Sequence, residues 1–228
     1  MVDKAKIQCN GKAKWTVMVY MAGDNNLDGA ALRDIEEMAR IGSTKDVNVL
    51  VQLDRLEDKK TRRFLITKGG GYNRDCVESF GETNTGDPKI LEDFLAWSIE
   101  RYPAERYFLI LWNHGSGWWE EARSRAAVMK TSDDRYRHSG SRVSLFRHKT
   151  DPPTHSTHRS ICYDDTSGGD ALDNSELKNV LARACTVIGK KIDILGMDAC
   201  LMTMVEVAWQ LRDSVEILVG SEIEEPND

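Results

Sequence analysis

Short apolar runs punctuate this chain. Residues 15–21 (WTVMVYM), 48–54 (NVLVQLD), 107–112 (YFLILW) and 192–197 (IDILGM) are rich in β-branched, aliphatic or aromatic side chains and end at polar or glycine residues. Runs of this length and composition predict strands covered on both faces. A further strand is expected at 216–221 (EILVGS), and 62–67 (RRFLIT) with Gly69, Gly70 and Gly71 predicts a short hairpin or edge extension. Between the strands the period changes to a helical one. A helix over about 29–41 is capped by Asp28 or by Asn25 and Asn26, and ends at Gly42. Asp87 and Pro88 start a second helix that runs to about Tyr102. Asp173 with Glu176 resembles a capping box for a third, running to about Ile188. Val205, Val207, Ala208 and Leu211 continue apolar at helical spacing after the 192–197 strand, from near Leu201. Strand and helix alternate, which predicts an α/β fold: a mostly parallel sheet with helices on both faces. No internal repeat is present.

Residues 119–160 break the pattern. Apolar residues are sparse and aperiodic there, and basic ones are frequent, so a long surface loop is expected, rich in exposed basic peptide bonds. Such a loop inside one domain is usually functional or disordered. The 228 residues suit one sizeable core, so the chain is read as a single domain, 1–228, with this segment as an insertion. A net charge of −6 gives no reason to expect nucleic acid or an anionic membrane as partner. No apolar run reaches the length of a membrane span, and residues 1–14 show no signal-peptide pattern as written. Five cysteines without CxxC spacing argue against both a disulfide framework and a cysteine-rich zinc site.

Two strands end in reactive groups. YFLILW runs into Asn113, His114, Gly115, Ser116 and Gly117, and IDILGM into Asp198, Ala199 and Cys200. Open α/β sheets bind ligands at the carboxyl ends of their strands. If the two strands are parallel neighbours, His114 and Cys200 share one rim, where imidazole can serve a thiol as base or cationic partner. A thiol near a helix N-terminus also gains thiolate character. The N–H groups of Gly115 and Cys200 are candidates to hold an oxyanion. Asp198, two residues before Cys200, lies on the same strand face and could select a basic side chain, or else cap the following helix.

Each feature has a plainer reading. A cysteine after a strand often serves as a small buried apolar residue. A histidine there can satisfy a turn, and the glycines can serve only that turn. Asp24, Asn25, Asn26 and Asp28 could bind a cation or a substrate amine, but turn and capping roles suit them better. Asp164, Asp165 and Asp170 do not have the spacing of an EF-hand loop. Glu222, Glu224 and Glu225 could hold a basic ligand or simply form a solvated face. Cys9, Cys76, Cys162 and Cys185 are assigned to structure or surface. The sequence itself calls for no cofactor and marks no metal site. It contains no phosphate-binding glycine fingerprint after a strand, which disfavours a nucleotide site.

The segments WTVMVYMAGDNNLDG, FLILWNHGSGW, CYDDTSGGDALDNSEL and IDILGMDACLMTMVEVA resemble the clostripain family of cysteine peptidases, over most of residues 15–226. The resemblance implies a caspase-like three-layer α/β/α sandwich, with His114 and Cys200 as the catalytic pair and Asp198 as an acid of the primary specificity pocket. Asp228 matches a second pocket acid. It further implies an endopeptidase that cleaves protein or peptide substrates after Arg or Lys, activated by self-cleavage after the histidine strand. Lys130, Arg147, Lys149 and Arg159 are the candidate sites. Calcium dependence and secretion are allowed by the resemblance. Because the family fold continues past its fifth strand, the sheet is expected to be incomplete at its C-terminal edge here. The reading from another class is a non-catalytic α/β module that binds a peptide or metabolite on the same rim.

Overall fold

The middle strand of the sheet explains why its sequence is apolar without a break. In the computed structural model, which describes residues 12–117 and 160–224, β1 (Ala13–Gly23) is hydrogen-bonded on both edges and covered on both faces. Met18, Tyr20 and Ala22 point into one core and Val19 and Met21 into the other. Successive side chains of a strand alternate between faces, so a strand buried on both must be apolar at every position.

In chain order α1 (Asp28–Ile41), β2 (Val47–Arg55), β3 (Lys60–Leu65), β4 (Cys76–Ser79), α2 (Pro88–Arg101) and β5 (Ala104–Trp112) follow. Then come β6 (Ser160–Asp164), β7 (Asp170–Asp173), α3 (Asn174–Ile188), β8 (Ile192–Asp198), α4 (Val205–Leu211) and β9 (Val215–Gly220). The main sheet has seven strands in the order β4-β3-β2-β1-β5-β8-β9. From β2 to β9 neighbours are parallel, while β3 and β4 add an antiparallel edge. Ala31, Ile35 and Ala39 of α1 cover one face. Leu91 and Phe94 of α2, Leu177 and Leu181 of α3, and Val207 and Leu211 of α4 cover the other. This is the three-layer sandwich expected.

The helix starts follow local chemistry, with two corrections. Asp87 caps α2 by accepting from the Lys89 N–H at 2.9 Å, and Pro88 opens the helix. Asp173 and Glu176 form the full capping box of α3. Asp28, however, does not cap α1. Its carboxylate pairs bidentately with Arg55, at 2.9 and 2.6 Å, and the turn before α1 is closed by Asn25 Oδ1, which accepts from the Leu27 N–H at 2.9 Å. The last helix begins at Val205, not near Leu201, so Asp198 caps nothing and Cys200 lies five residues before the first helical turn. Leu201 has φ +65° and its N–H donates to Ile223 O at 3.2 Å, which turns the backbone away from a helix.

The β6–β7 hairpin was not anticipated. It forms a separate two-stranded sheet, and β6 also forms a bridge from Ile161 to Gly115.

Candidate active site

The rim at the carboxyl ends of β1, β5 and β8 is built from loops that hold one another. β5 and β8 are parallel neighbours, with Trp112 opposite Asp198. The Asn113 N–H continues the ladder to Asp198 O at 3.1 Å. His114 and Cys200 therefore leave the sheet from the same end of adjacent strands. The Gly115 backbone is pressed against the second of these loops. A Cβ at Gly115 would sit 2.4 Å from Cys200 O and 2.6 Å from Met202 Cγ, so only glycine fits.

On its other side the histidine loop is held by β6. Ser116 N–H donates to Ser160 O at 3.1 Å, and Ser160 N–H to Ser116 Oγ at 2.9 Å. Asn113 Oδ1 accepts from the Tyr163 N–H at 2.9 Å, while its amide donates to Ala22 O. Asn25 completes the stitch, donating to Ala22 O at 2.9 Å and to Tyr163 O at 3.0 Å. Asn113 is buried, so its removal takes the acceptor from the Tyr163 N–H and leaves Ala22 O with the Asn25 amide as its side-chain donor. Asn113→Ala is expected to cost about 1–3 kcal/mol, read in a denaturant titration as a lower midpoint with unchanged slope.

His114 is half-buried, and its Nε2 lies 2.8 Å from Asn26 Oδ1. Burial pulls its pKa below the usual 6.5, against a weaker upward pull from Asp165. Burial thus favours the neutral ring, and in the tautomer that donates from Nε2 to Asn26 Oδ1 the Nδ1 atom is left as acceptor. Cys200 is a half-buried thiol that is not in a disulfide. Asp198 is exposed at the rim, yet desolvation and then Asp34 push its carboxyl above the ordinary carboxylate range. Asp34, on α1, accepts a hydrogen bond from Trp112.

The clostripain family model matches residues 19–136 and 126–228, which together span most of the chain. The chain belongs to the clostripain family. It is 28% identical to clostripain from Hathewaya histolytica over 248 residues, covering 95% of this chain and 40% of that protein. A secreted C11 cysteine protease from Bacteroides thetaiotaomicron, solved with an irreversible peptide inhibitor, superposes with a TM-score of 0.65 at 23% identity, covering 94% of this chain and 50% of its own. An inactive zymogen C11 protease from Parabacteroides distasonis gives 0.62 at 22% identity, covering 95% and 50%. The sheet and its layers are thus the caspase-like sandwich, and the chain spans half or less of the length of these relatives.

Of the residues singled out in the sequence, His114, Gly115, Asp198 and Cys200 share this clostripain-family rim. Asp228, Lys130, Arg147, Lys149, Arg159, Glu225 and Cys9 lie outside the described residues. Glu222 is exposed, as a solvated face requires. Cys162 is fully buried, and burial pushes its thiol well up, which suits a structural role. The sequence reading identified no partner for His114. Asn26 is that partner, 88 residues away; only its place on the AGDNNLDG loop hinted at the rim.

A second constellation was also missed. One carboxylate oxygen each from Asp24, Asp54, Glu82 and Asp164 lies within 4.8 Å of the others. Asp24, Asp54 and Asp164 are fully buried and Glu82 is exposed. Desolvation, offset by the Thr61 hydroxyl and reinforced by the neighbouring acids, raises Asp54 to about 7. Asp24 and Glu82 are pushed up as well, first by desolvation. Two oxygens on opposite sides of a calcium ion are about 4.6–5.2 Å apart at its usual 2.3–2.6 Å bond lengths, so this oxygen-only set fits calcium.

Proposed function

We propose that this chain is the histidine- and cysteine-bearing part of a cysteine endopeptidase that cleaves after Arg or Lys. The supporting observation is the seating of the Gly115 backbone against Cys200 at the ends of adjacent parallel strands. In this reading His114 Nδ1 accepts the Cys200 proton, with Asn26 holding Nε2–H. The sulfur attacks the scissile carbonyl carbon, and its oxygen gains negative charge under the Gly115 and Cys200 N–H groups. The C–N bond breaks as the imidazolium returns its proton to the leaving amine, which leaves a thioester. Water then adds to the thioester, giving its proton to His114, and the acid is released with Cys200 restored. Asp198 pairs with the substrate's basic side chain, where guanidinium gains over ammonium from two parallel hydrogen bonds. Such a preference makes the basic insertion a substrate too, with Lys130, Arg147, Lys149 and Arg159 as the bonds at issue. The secreted relative favours an extracellular setting.

An irreversible thiol-reactive peptide carrying Arg tests this. It is expected to modify Cys200 and no other cysteine, as read by peptide mass spectrometry. The labelling rate should fall on the acid side with a midpoint below 6.5, because a lowered pKa keeps His114 neutral to lower pH than a free histidine. A binding module would leave Cys200 unlabelled at every pH, and that result would overturn the proposal.

A further inference from the structure

Asp198 is not the only carboxylate on its side of the sheet. It closes β8 directly opposite Trp112, the last residue of β5. Neighbouring strands lie about 4.8 Å apart, and paired positions project to the same face. That face is the α1 side, because Trp112 packs there with Val19 and Met21 of β1 and with Ala31 and Ile35 of α1. On α1, Asp34 accepts the hydrogen bond of the Trp112 indole, whose single donor is its ring N–H. A helical turn takes about 3.6 residues, so positions 34 and 36 look to nearly opposite flanks of the helix. Glu36 accepts from the Tyr72 N–H at 3.2 Å, and Asp28 holds Arg55 at the end of β2, which sets their flank toward β2. β5 and β8 lie on the other side of β1, and Asp34 faces them.

Among the described residues no hydrogen-bond donor and no ion pair reaches the Asp198 carboxylate, and the donor that fixes Asp34 is a neutral indole. Desolvation raises both carboxyls, and Asp34 raises Asp198 further by repulsion. Arg33 offsets this for Asp34 only from an exposed position. Two carboxylates held in each other's field, one of them by a rigid neutral donor, lack a cation. Beyond Asp198 the same face of the sheet is open. Ile217 and Val219 of β9 are 55% and 53% exposed, which leaves room for a long side chain entering from the rim. The stem of an arginine is apolar, and its planar guanidinium carries five donors, enough to span two acids. An ammonium offers three donors on one atom.

We propose that Asp34 is a further acid of the pocket for the substrate's basic side chain: anchored by the Trp112 indole, its carboxylate takes one side of a guanidinium while Asp198 takes the other. This rests on the peptidase reading above and adds to it a residue from α1, 164 positions before Asp198 in the chain. Trp112 is the positioning residue. Its indole ties the helix to the end of the histidine strand, so the two acids keep a fixed separation.

Two readouts test it. The first uses peptides that differ only in Arg, Lys or Ala at the scissile position. Asp34→Asn should lower the Arg/Ala ratio of kcat/KM by about tenfold, and the Lys/Ala ratio by less. Asparagine keeps an acceptor for the Trp112 indole, so folding is not at risk. Glu36→Gln removes a charge from the opposite flank of the same helix and should leave both ratios within about twofold. A merely structural Asp34 would slow all three peptides alike and keep the ratios. Where the parent chain cleaves, an unchanged Arg/Ala ratio in Asp34→Asn, or an equal fall in Glu36→Gln, overturns the assignment. The second readout needs no turnover. N-acetyl-arginine amide is titrated into the Cys200→Ala chain and followed by NMR, and Asp34→Asn in that background should weaken binding about tenfold. No binding, or binding indifferent to Asp34, overturns the assignment there. Arginine-amide binding that depends on Asp34 without any peptide cleavage would remove the peptidase reading and keep the pocket. Cleavage after Arg with ratios indifferent to Asp34 would do the reverse.

Discussion

Cys200→Ala is expected to reduce hydrolysis of an Arg-containing peptide by a factor of at least about 10³, with folding intact. In the proposed mechanism the sulfur is the atom that attacks, and alanine offers no nucleophile in its place. Loss of one half-buried sulfur from a turn removes little packing, so the circular dichroism spectrum and Tm should stay close to those of the parent. The same variant addresses activation. Purified parent chain should be cut between residues 119 and 160, and the variant should be recovered whole. Cleavage of the pure variant at the same bond would show that another enzyme makes the cut. His114→Ala provides the companion comparison, because it leaves the thiol in place. A loss of about 10²–10⁴-fold is expected from removing a positioned proton carrier. Equal activity in that variant would leave Cys200 without its base.

The second large effect concerns selectivity. Asp198→Asn keeps the shape of the side chain and the backbone bond from Asn113 to Asp198 O, but removes the charge. Removing one partner of a hydrogen-bonded charge pair that the bound substrate buries typically costs about 2–5 kcal/mol, so kcat/KM for an Arg substrate should fall by about 30- to 5,000-fold. A substrate with Ala at the same position should be nearly unaffected. An equal loss on both would mean that Asp198 supports the fold and not the choice of substrate. Asp34 sharpens the expectation. Desolvation first, and then Asp34 by repulsion, raise the Asp198 carboxyl, and a guanidinium paired with Asp198 as proposed would offset both.

Much of the architecture was legible because the central strands had only one way to be buried. WTVMVYM and YFLILW are apolar on both faces, and a strand covered on both faces belongs inside a parallel sheet with helices above and below. The caps of α2 and α3 were legible because Asp87, Asp173 and Glu176 act within three residues of themselves. What escaped the sequence depends on distant partners. The β6–β7 hairpin is short and irregular, with Cys162 at φ +63° and a shifted register, and much of its hold on the sheet runs through Asn25, Asn113 and Ser116. The delayed start of α4 is imposed by Ile223 O and Ser221 O, which capture the N–H groups of Leu201 and Thr203. Cys200 therefore lacks the helix terminus that the sequence promised it. The four clustered acids are scattered from residue 24 to residue 164, so no spacing rule connects them.

The grip of Asn25 and Asn113 on the Tyr163 backbone has a consequence for a molecule nicked in the 119–160 insertion. Both halves would keep every one of those bonds, together with the neighbouring β5–β8 ladder. The two pieces should elute from a sizing column as one particle and part only in denaturant. A cut there would alter how the polypeptide is joined while leaving the seven-stranded sheet intact.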